Sequence, residues 1–232
     1  MPRQGAARPL RRPLNREQLL EAAVELADSG GIDSLSMRKL GDAVGVEAMS
    51  LYNHVANKED LLDGMVDVVF SEIDLPADNT DWKSAMRQRA VSAQRVLARH
   101  RWAIGLVESR SSPGPATLRH HDAALGCLRE AGFSIEMAGH AYALLDSYIL
   151  GFALQEASHP FSAGTDKIEL TANVLRIAPK GEYPHLTEFA IQRFLQPDYD
   201  YADEFEIGLD FILDLLERTR RRAEPRRRRP SQ

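Results

Sequence analysis

Between Ala48 and His54 the sequence reads AMSLYNH, which places a thioether, a hydroxyl, a phenol, an amide and an imidazole within one short run. Leu51 and Val55 are four apart and predicted to face inward on a helix, which leaves Ala48, Met49, Ser50, Tyr52, Asn53 and His54 largely outward. Side chains of these types serve a core poorly. They suit the donor and acceptor pattern of base edges in a DNA groove and the phosphate oxygens beside it. Lys58 adds a cation at a helix start, where the helix dipole also favours a phosphate. Catalytic chemistry has no comparable foothold, because the chain carries no CxxC, HExxH, GxSxG or glycine-rich phosphate loop. His120 and His121 are adjacent, so on a helix they point about 100° apart and cannot share a metal. No catalytic residue, metal site or cofactor is therefore expected.

Positioning such a surface requires a particular set of elements. Ser36 can accept a bond from an orphan amide of the first turn, and Met37, Leu40, Ala43 and Val44 share one helical face, so a short amphipathic helix is predicted over 36–44. Gly45 supplies the positive φ of a helix end, and a second helix is predicted over 47–54. Ahead of the pair, Leu19, Leu20, Ala23, Val24 and Ala27 form one stripe of a helix over 15–29, begun by a capping-box-like Asn15 and Gln18. Asn57 caps a fourth helix carrying Leu61, Leu62, Met65, Val66, Val69, Phe70 and Ile73. A glycine-joined helical pair alone would also fit an ordinary all-α protein. Three helices with a shared apolar face make a compact helix-turn-helix unit instead.

The stretch from Leu14 to Leu62 resembles the DNA-binding domain of the tetracycline-repressor (TetR) family of bacterial transcription regulators. The resemblance rests on Ala22-Ala23-Val24-Glu25-Leu26-Ala27, Gly30-Gly31, Leu35-Ser36-Met37-Arg38-Lys39-Leu40, Gly45-Val46, Leu51-Tyr52-Asn53-His54-Val55, Asn57-Lys58 and Leu61-Leu62. Further on, Glu130-Ala131-Gly132-Phe133-Ser134 and Leu150-Gly151-Phe152 look like segments opening and running along the dimerisation helix of the tetracycline-repressor branch. The resemblance implies an all-α fold, a homodimer, a double-stranded DNA operator with inverted-repeat symmetry and a small-molecule inducer. It implies a repressor, with an activator of the same fold, or an enzyme or ligand-binding protein without DNA function, as alternatives. It assigns Arg38, Ala48, Met49, Ser50, Tyr52, Asn53, His54 and Lys58 to DNA, and Phe70, Trp82, Arg89, Trp102, Leu106, Tyr142, Tyr148 and Phe152 to the ligand. Asn53 departs from the tryptophan of the tetracycline repressor, and Ala48 and Met49 from its polar and proline residues, so a different operator sequence is expected. That repressor holds a magnesium–tetracycline chelate through a histidine after its short sixth helix and an acid near the end of its dimer helix. Those places read Leu106-Val107-Glu108 and Gln155 here, which argues against that inducer.

Charge is segregated along the 232 residues. The net charge is −5, yet residues 1–16 hold five arginines and no acid, and residues 218–232 hold eight arginines and one glutamate. Taking these 13 basic and one acidic residues from the totals of 29 and 34 leaves 16 basic against 33 acidic, about −17, over residues 17–217. Arg3, Arg8, Arg11, Arg12 and Arg16 are read as an arm reaching DNA phosphates or a minor groove, with a solubilising tail as the alternative. Arg226 to Arg229 are read as a solvated tail. Cys127 alone cannot form an internal disulfide and reads as a small core residue of a cytoplasmic protein. No segment has the length and apolarity of a membrane span. The expected division is a basic arm over 1–13, a DNA-binding domain over 14–60, a helical ligand-binding and dimerisation domain over 61–222 and a basic tail over 223–232.

Within the second domain, helices are predicted from Asp81 through Leu97, over 102–107, 116–131, 134–158 and 203–220, with a loop at Ser111 to Pro115. Residues 159–199 read as a long loop with one short helix over 187–194. Gly139, Ala138, Ala141, Ala143 and Gly151 would let another helix approach the fourth of these closely, and Phe205, Leu209, Ile212, Leu213 and Leu216 line one stripe of the last. In the family these two helices pair across subunits as a four-helix bundle.

Overall fold

The computed structural model describes residues 14–158 except Asn79, Glu108 and Ser111, then Arg176, and residues 181–223 except Pro197. The expectations for the arm over 1–13, for the arginine tail beyond Ala223, for Glu108 and for most of the loop over 159–180 lie outside the described residues. Helices and turns account for all regular structure among the described residues.

Helix α1 (Arg16–Gly30) begins with the predicted capping box: Asn15 Oδ1 accepts from Gln18 N at 2.8 Å, and Gln18 Oε1 accepts from Asn15 N at 3.2 Å. Helix α2 (Met37–Val44) is capped by Ser36 and stops at Gly45, whose φ of 74° and ψ of 34° are left-handed. Its inward face differs from the expectation in one residue, since Ala43 is exposed and Gly41 is buried. Gly41 is the point where α2 meets the next helix. A Cβ there would lie 2.8 Å from the Val46 oxygen and 3.1 Å from the Ala48 nitrogen.

Helix α3 is shorter than predicted and covers Ala48–Leu51. The amides of Tyr52, Asn53 and His54 turn back to the carbonyls of Met49, Ser50 and Leu51 in tight three-residue steps. Two local bonds stop the helix. The Ala56 amide donates to Asp60 Oδ2 at 2.8 Å, and Asn57 Oδ1 accepts from Asp60 N at 2.9 Å, so the chain is drawn into the cap of α4 (Lys58–Ser71) instead of another turn of α3. Helix α4 ends slightly before Ile73, whose amide closes a turn on Phe70.

The remaining helices are α5 (Trp82–Arg99, capped by Asp81), α6 (Ile104–Val107, after a 3₁₀ turn at Arg101–Ala103), α7 (Pro115–Glu130), α8 (Ile135–Ser158), α9 (Pro184–Phe189) and α10 (Asp203–Ala223). Proline sits in the first turn of both α7 and α9, where its missing N–H costs nothing. This starts α9 ahead of the predicted Thr187, and a π turn at Ala190–Phe194 extends it. Helix α10 runs past the predicted Arg220 to Ala223, the first residue assigned to the tail, as Arg220 and Arg221 both pair with Glu217 one turn back.

Two hydrophobic cores result, and α4 belongs to both. Leu61, Leu62 and Met65 pack with α1, Leu40 and Leu51, whereas Val66, Val69 and Phe70 pack with α5, α7 and α8. The stripe of α10 expected to meet another subunit faces this second core, with Phe205, Leu209, Leu213 and Leu216 buried. Its outward apolar side chains are Ile207, Phe211 and Leu215. On α8, Ala138 and Ala141 are likewise buried within the chain, while a Cβ on Gly139 or Gly151 would meet nothing within 4 Å.

Helix α10 is strapped to α5 by Arg87 with Asp210 (2.9 Å) and Glu206 (2.7 Å), by Lys83 with Asp214, and by Trp82 Nε1 donating to Glu217 Oε2 at 3.1 Å. Hydrogen bonding from Arg220, then from Arg221 and Trp82, lowers the Glu217 pKa to about 2. A depressed carboxyl pKa adds stability that is present above the ordinary glutamate value and lost as pH falls towards 2. Glu217→Gln should therefore lower the midpoint of thermal unfolding at pH 7 and flatten its decline between about pH 4.5 and 2, read by circular dichroism. Gly41→Ala should cost about 1–3 kcal/mol in denaturant unfolding, because the atoms met by the new methyl are backbone and cannot swing aside.

Candidate functional site

The surface built from α2 and α3 is held from below by Leu40, Leu51 and Val55, each nearly or fully buried. Above them Met49 is 76% and Tyr52 44% exposed; Arg38, Ser50, Asn53 and Lys58 are also exposed, and Ala48 and His54 are half-buried. An exposed methionine of this degree gains nothing from the fold. Because α3 is a single turn, Tyr52, Asn53 and His54 lie on the turn that follows it, closer to the start of α4 than a long recognition helix would place them.

Arg16 does not belong with the free arm. Its Nη2 lies 2.8 Å from Asp60 Oδ1 and its Nη1 lies 3.2 Å from Asp60 Oδ2, while Nη1 also donates to the His54 carbonyl at 3.0 Å. The forked pair, together with the Ala56 amide, holds the Asp60 carboxyl below its ordinary range. Helix α1 is thus bolted to the turn carrying Tyr52 to His54 and to the first turn of α4. Nothing in the local sequence separates Arg16 from its arm neighbours except its place one residue after the Asn15 cap.

At the other end of α4 lies a cavity of about 740 Å³, enclosed by α4, α5, α7 and α8. Of the residues expected to meet a ligand, Phe70, Arg89 and Tyr142 line it. Trp82, Trp102, Leu106, Tyr148 and Phe152 do not, and each has a packing or bonding partner elsewhere. Trp82 packs edge-on against Phe133 and donates to Glu217. Trp102 Nε1 donates to Asp28 Oδ1 at 2.7 Å, and Leu106 packs against both cores. The Tyr148 hydroxyl donates to the carbonyls of Glu204 and Phe205, and Phe152 stacks on Tyr201 at 5.0 Å. Trp82, Tyr148 and Phe152 face α10 instead of the cavity, a difference of helix face that sequence periodicity does not resolve.

The expected Arg89 brings with it lining residues that were not anticipated, His120 and Asp146, and Thr117 is a third. Arg89 on α5 is 2% exposed; its Nη2 pairs with Asp146 Oδ1 of α8 at 2.7 Å and its Nε donates to His120 Nε2 of α7 at 3.3 Å. Burial, then the nearby Arg89 charge, lowers the His120 pKa to about 3, so its ring is neutral at ordinary pH. The signal for Arg89 was an arginine on the same stripe as Ala85 and Ala93, a place that demands a partner. No group of three or more His, Cys, Asp or Glu side chains among the described residues could hold a metal ion. Gln155, at one place where the tetracycline branch has a metal ligand, accepts from the Tyr201 hydroxyl at 2.6 Å.

The cavity is wired to α4 by Asp67. Its carboxylate accepts from the amides of Ala116 (3.2 Å) and Thr117 (2.8 Å) and from the Thr117 hydroxyl (2.9 Å), which serves the first turn of α7 in place of a local cap. Gly114 permits the approach, since a Cβ there would lie 2.3 Å from Asp67 Cγ. Gly114 and Thr117 themselves line the cavity. A second joint fixes α1 to the far end of α4: the buried His100 has Nδ1 2.8 Å from Asp28 Oδ1 and Nε2 3.1 Å from Glu72 Oε2.

Comparison with known proteins agrees with this geometry at both ends. Residues 19–65 match the model of bacterial regulatory proteins of the tetR family, and residues 75–220 match the tetracyclin repressor-like C-terminal domain. An HTH-type transcriptional regulator of Saccharopolyspora erythraea is 33% identical over 214 residues, covering 91% of this chain and 86% of its own. The HTH-type transcriptional repressor DrrR1 of Streptomyces coeruleorubidus is 32% identical over 222 residues, covering 90% and 81%. The structure of ActR from Streptomyces coelicolor in complex with actinorhodin superposes with a TM-score of 0.74 at 28% identity, covering 90% of this chain and 99% of that one. Among the described residues no helix is long and apolar enough to cross a membrane. A helix-turn-helix head joined by one shared helix to a cavity-bearing helical body, matched by both family models, places the chain in the tetR family of DNA-binding bacterial transcription regulators.

Proposed function

We propose that the protein is a homodimeric repressor that binds an inverted-repeat operator and releases it when a small molecule occupies the cavity beside Phe70, Arg89 and Tyr142. The observation that carries this reading is the double membership of α4. One half of that helix buttresses α1 and the turn bearing Tyr52 to His54, and the other half walls the cavity. The functional division over 14–60 and 61–222 accordingly falls inside a continuous helix. The repressor DrrR1 and ligand-bound ActR support the same assignment by likeness.

Dimerisation uses the outward faces of α8 and α10. Ile207, Phe211 and Leu215 recur every fourth residue on α10, and Ile135, Leu144 and Leu154 stand exposed on α8 beside the open Gly139 and Gly151. Exposed apolar side chains in such a row belong to an interface, and two-fold symmetry of the protein is mirrored in the DNA. An activator would use the same surfaces, and footprinting upstream of or over the promoter separates the two readings.

At the DNA surface, Lys58 contacts phosphate, and Ala48, Met49, Ser50 and Asn53 read bases, with Arg38, Tyr52 and His54 serving phosphates or base edges. Lys58→Ala should weaken binding to every sequence by about 1 kcal/mol and reduce the salt dependence by about one unit, whereas Asn53→Ala should alter base preference. Equal effects of both changes on specific and random DNA, measured by fluorescence anisotropy, would refute this assignment.

Ligand binding is transmitted by moving the start of α7, which pulls Asp67 and tilts α4, and so changes the spacing of the paired recognition surfaces. A ligand that prefers the DNA-incompetent state about 100-fold supplies roughly 2.7 kcal/mol, enough to weaken the operator by up to that factor. Asp67→Ala should leave the ligand able to bind but reduce its effect on operator affinity several-fold. Calorimetric titration of an inducer with and without operator tests the scheme, since linkage requires reciprocal weakening; an inducer that binds free and DNA-bound protein equally would overturn it.

A further inference from the structure

Among the described residues, buried donors on three lining side chains, Arg89, His120 and Arg110, meet no protein acceptor, and the first two belong to side chains in contact with each other. Arg89 spends Nη2 on Asp146 and Nε on His120, and no protein atom accepts from its buried Nη1. His120 accepts through Nε2, so the proton of its neutral ring sits on Nδ1, and no protein atom accepts from that nitrogen either. Both side chains are at least nine-tenths buried, with residue exposures of 2% and 1%. A buried donor left unmatched has lost its water without compensation, a cost that a ligand acceptor placed against it would recover.

The charges of the cavity are already balanced. Arg89 faces Asp146 at 2.7 Å, and Arg110 lies 3.5 Å from Asp63, so the charged lining side chains form opposite pairs. A ligand bringing a full negative charge would leave an uncompensated charge in a buried site, where desolvation is expensive. A neutral oxygen acceptor meets the same donors without that penalty. The surrounding wall is aromatic and aliphatic: Phe70 stands edge-on to His120 (5.4 Å, 67°) and His121 (5.8 Å, 89°), and His121 stands edge-on to Tyr142 (5.6 Å, 73°). A wall of ring edges and faces favours a flat π-system laid against it. A volume of about 740 Å³ is ample for several fused rings.

We propose that the cavity selects neutral, planar polycyclic ketones or quinones, whose carbonyl oxygens accept from Arg89 Nη1 and His120 Nδ1, and that it binds them without a metal ion. The proposal rests on the reading of the cavity as the inducer site and narrows it to a chemical class. It also separates this chain from a magnesium-chelating inducer, in keeping with Gln155 being held by Tyr201.

Xanthone, xanthene and xanthone carboxylate share one tricyclic framework and differ at its central carbon, a carbonyl in the ketones and a methylene in xanthene, and in charge. Equilibrium dialysis of the full-length protein against each, with magnesium and with a chelator, measures the selectivity directly. Xanthone should bind at least about 10-fold more tightly than xanthene, the carboxylate should not exceed xanthone, and magnesium should change nothing. Arg89→Lys keeps a cation opposite Asp146 but removes the Nη1 arm, and His120→Phe keeps a ring but removes Nδ1. Each should bring xanthone binding towards that of xanthene while xanthene binding persists, with thermal melting as the check on folding. Equal binding of xanthone and xanthene, tighter binding of the carboxylate, a requirement for magnesium or no detectable binding of xanthone would each overturn the proposal. Operator binding, measured separately by anisotropy, reports on the regulator reading alone, because the xanthone-to-xanthene ratio does not depend on DNA.

Discussion

Helix α4 cannot move independently of either half of the molecule, and most of the architecture follows from that restraint. Its amino end is fixed by the Asn57 cap and by the forked contact of Arg16 with Asp60. Its middle is buried on both sides, with Met65 and Val69 fully enclosed, and a Cβ on Gly64 would lie 2.7 Å from Leu20. Its outer carboxylate, Asp67, is the acceptor for the start of α7. Packed side chains do not deform continuously, so a displacement at one end is carried along the helix as a rigid tilt.

The polar joints around α4 differ in what they can bear. The Arg16 and Asp60 side chains are 43% and 35% exposed, and an ion pair in that setting contributes little by Coulomb attraction alone. Its value lies in geometry, since the same guanidinium also donates to the His54 carbonyl and the same carboxylate receives the Ala56 amide. One connecting loop and two helices converge on one pair. The His100 joint is more enclosed, and with Trp102 it ties Asp28 near the end of α1 to the body. Helix α1 is therefore held at both ends, at its start to the first turn of α4 and at its far end, through Asp28, to His100 and Trp102 of the body.

Much of this was legible from sequence because it is written in local chemistry. Asn15 with Gln18, Ser36, Gly45, Asn57 and Asp81 are short-range signals, and each cap forms where its residue type required it. The first core followed from periodicity alone. What the sequence withheld depends on contacts between distant segments: Gly41 against Val46, Arg16 against Asp60, Asp67 against the start of α7, and Arg89 between α7 and α8. The shortened α3 is a case of two local signals in competition, the helical pattern of Leu51 and Val55 against the cap at Asn57 and Asp60, and the cap prevails. The face of α10 was misassigned for a related reason. Ile207, Phe211 and Leu215 form a second apolar stripe on the same helix, and periodicity cannot say which stripe meets the body.

A cavity of this size beside the main core has an energetic consequence of its own. Lining atoms without neighbours forfeit dispersion contacts, and the unmatched donors of Arg89 and His120 add desolvation, so the body is less stable than a filled bundle of the same length would be. Any molecule that fills the space and accepts from those donors binds the folded state alone and stabilises it in proportion to its concentration. Such uniform stabilisation does not yet amount to regulation. Regulation requires the cavity to fit the ligand better in one orientation of α4 than in the other, and the elements that can set that difference are the ones touching both ligand and helix: Phe70 on α4 itself, and Thr117 through its two bonds to Asp67. On the proposed reading, the affinity of the site and the direction of its effect would thus reside in different residues, the first in the Arg89 and His120 donors, the second at the joint between α4 and α7.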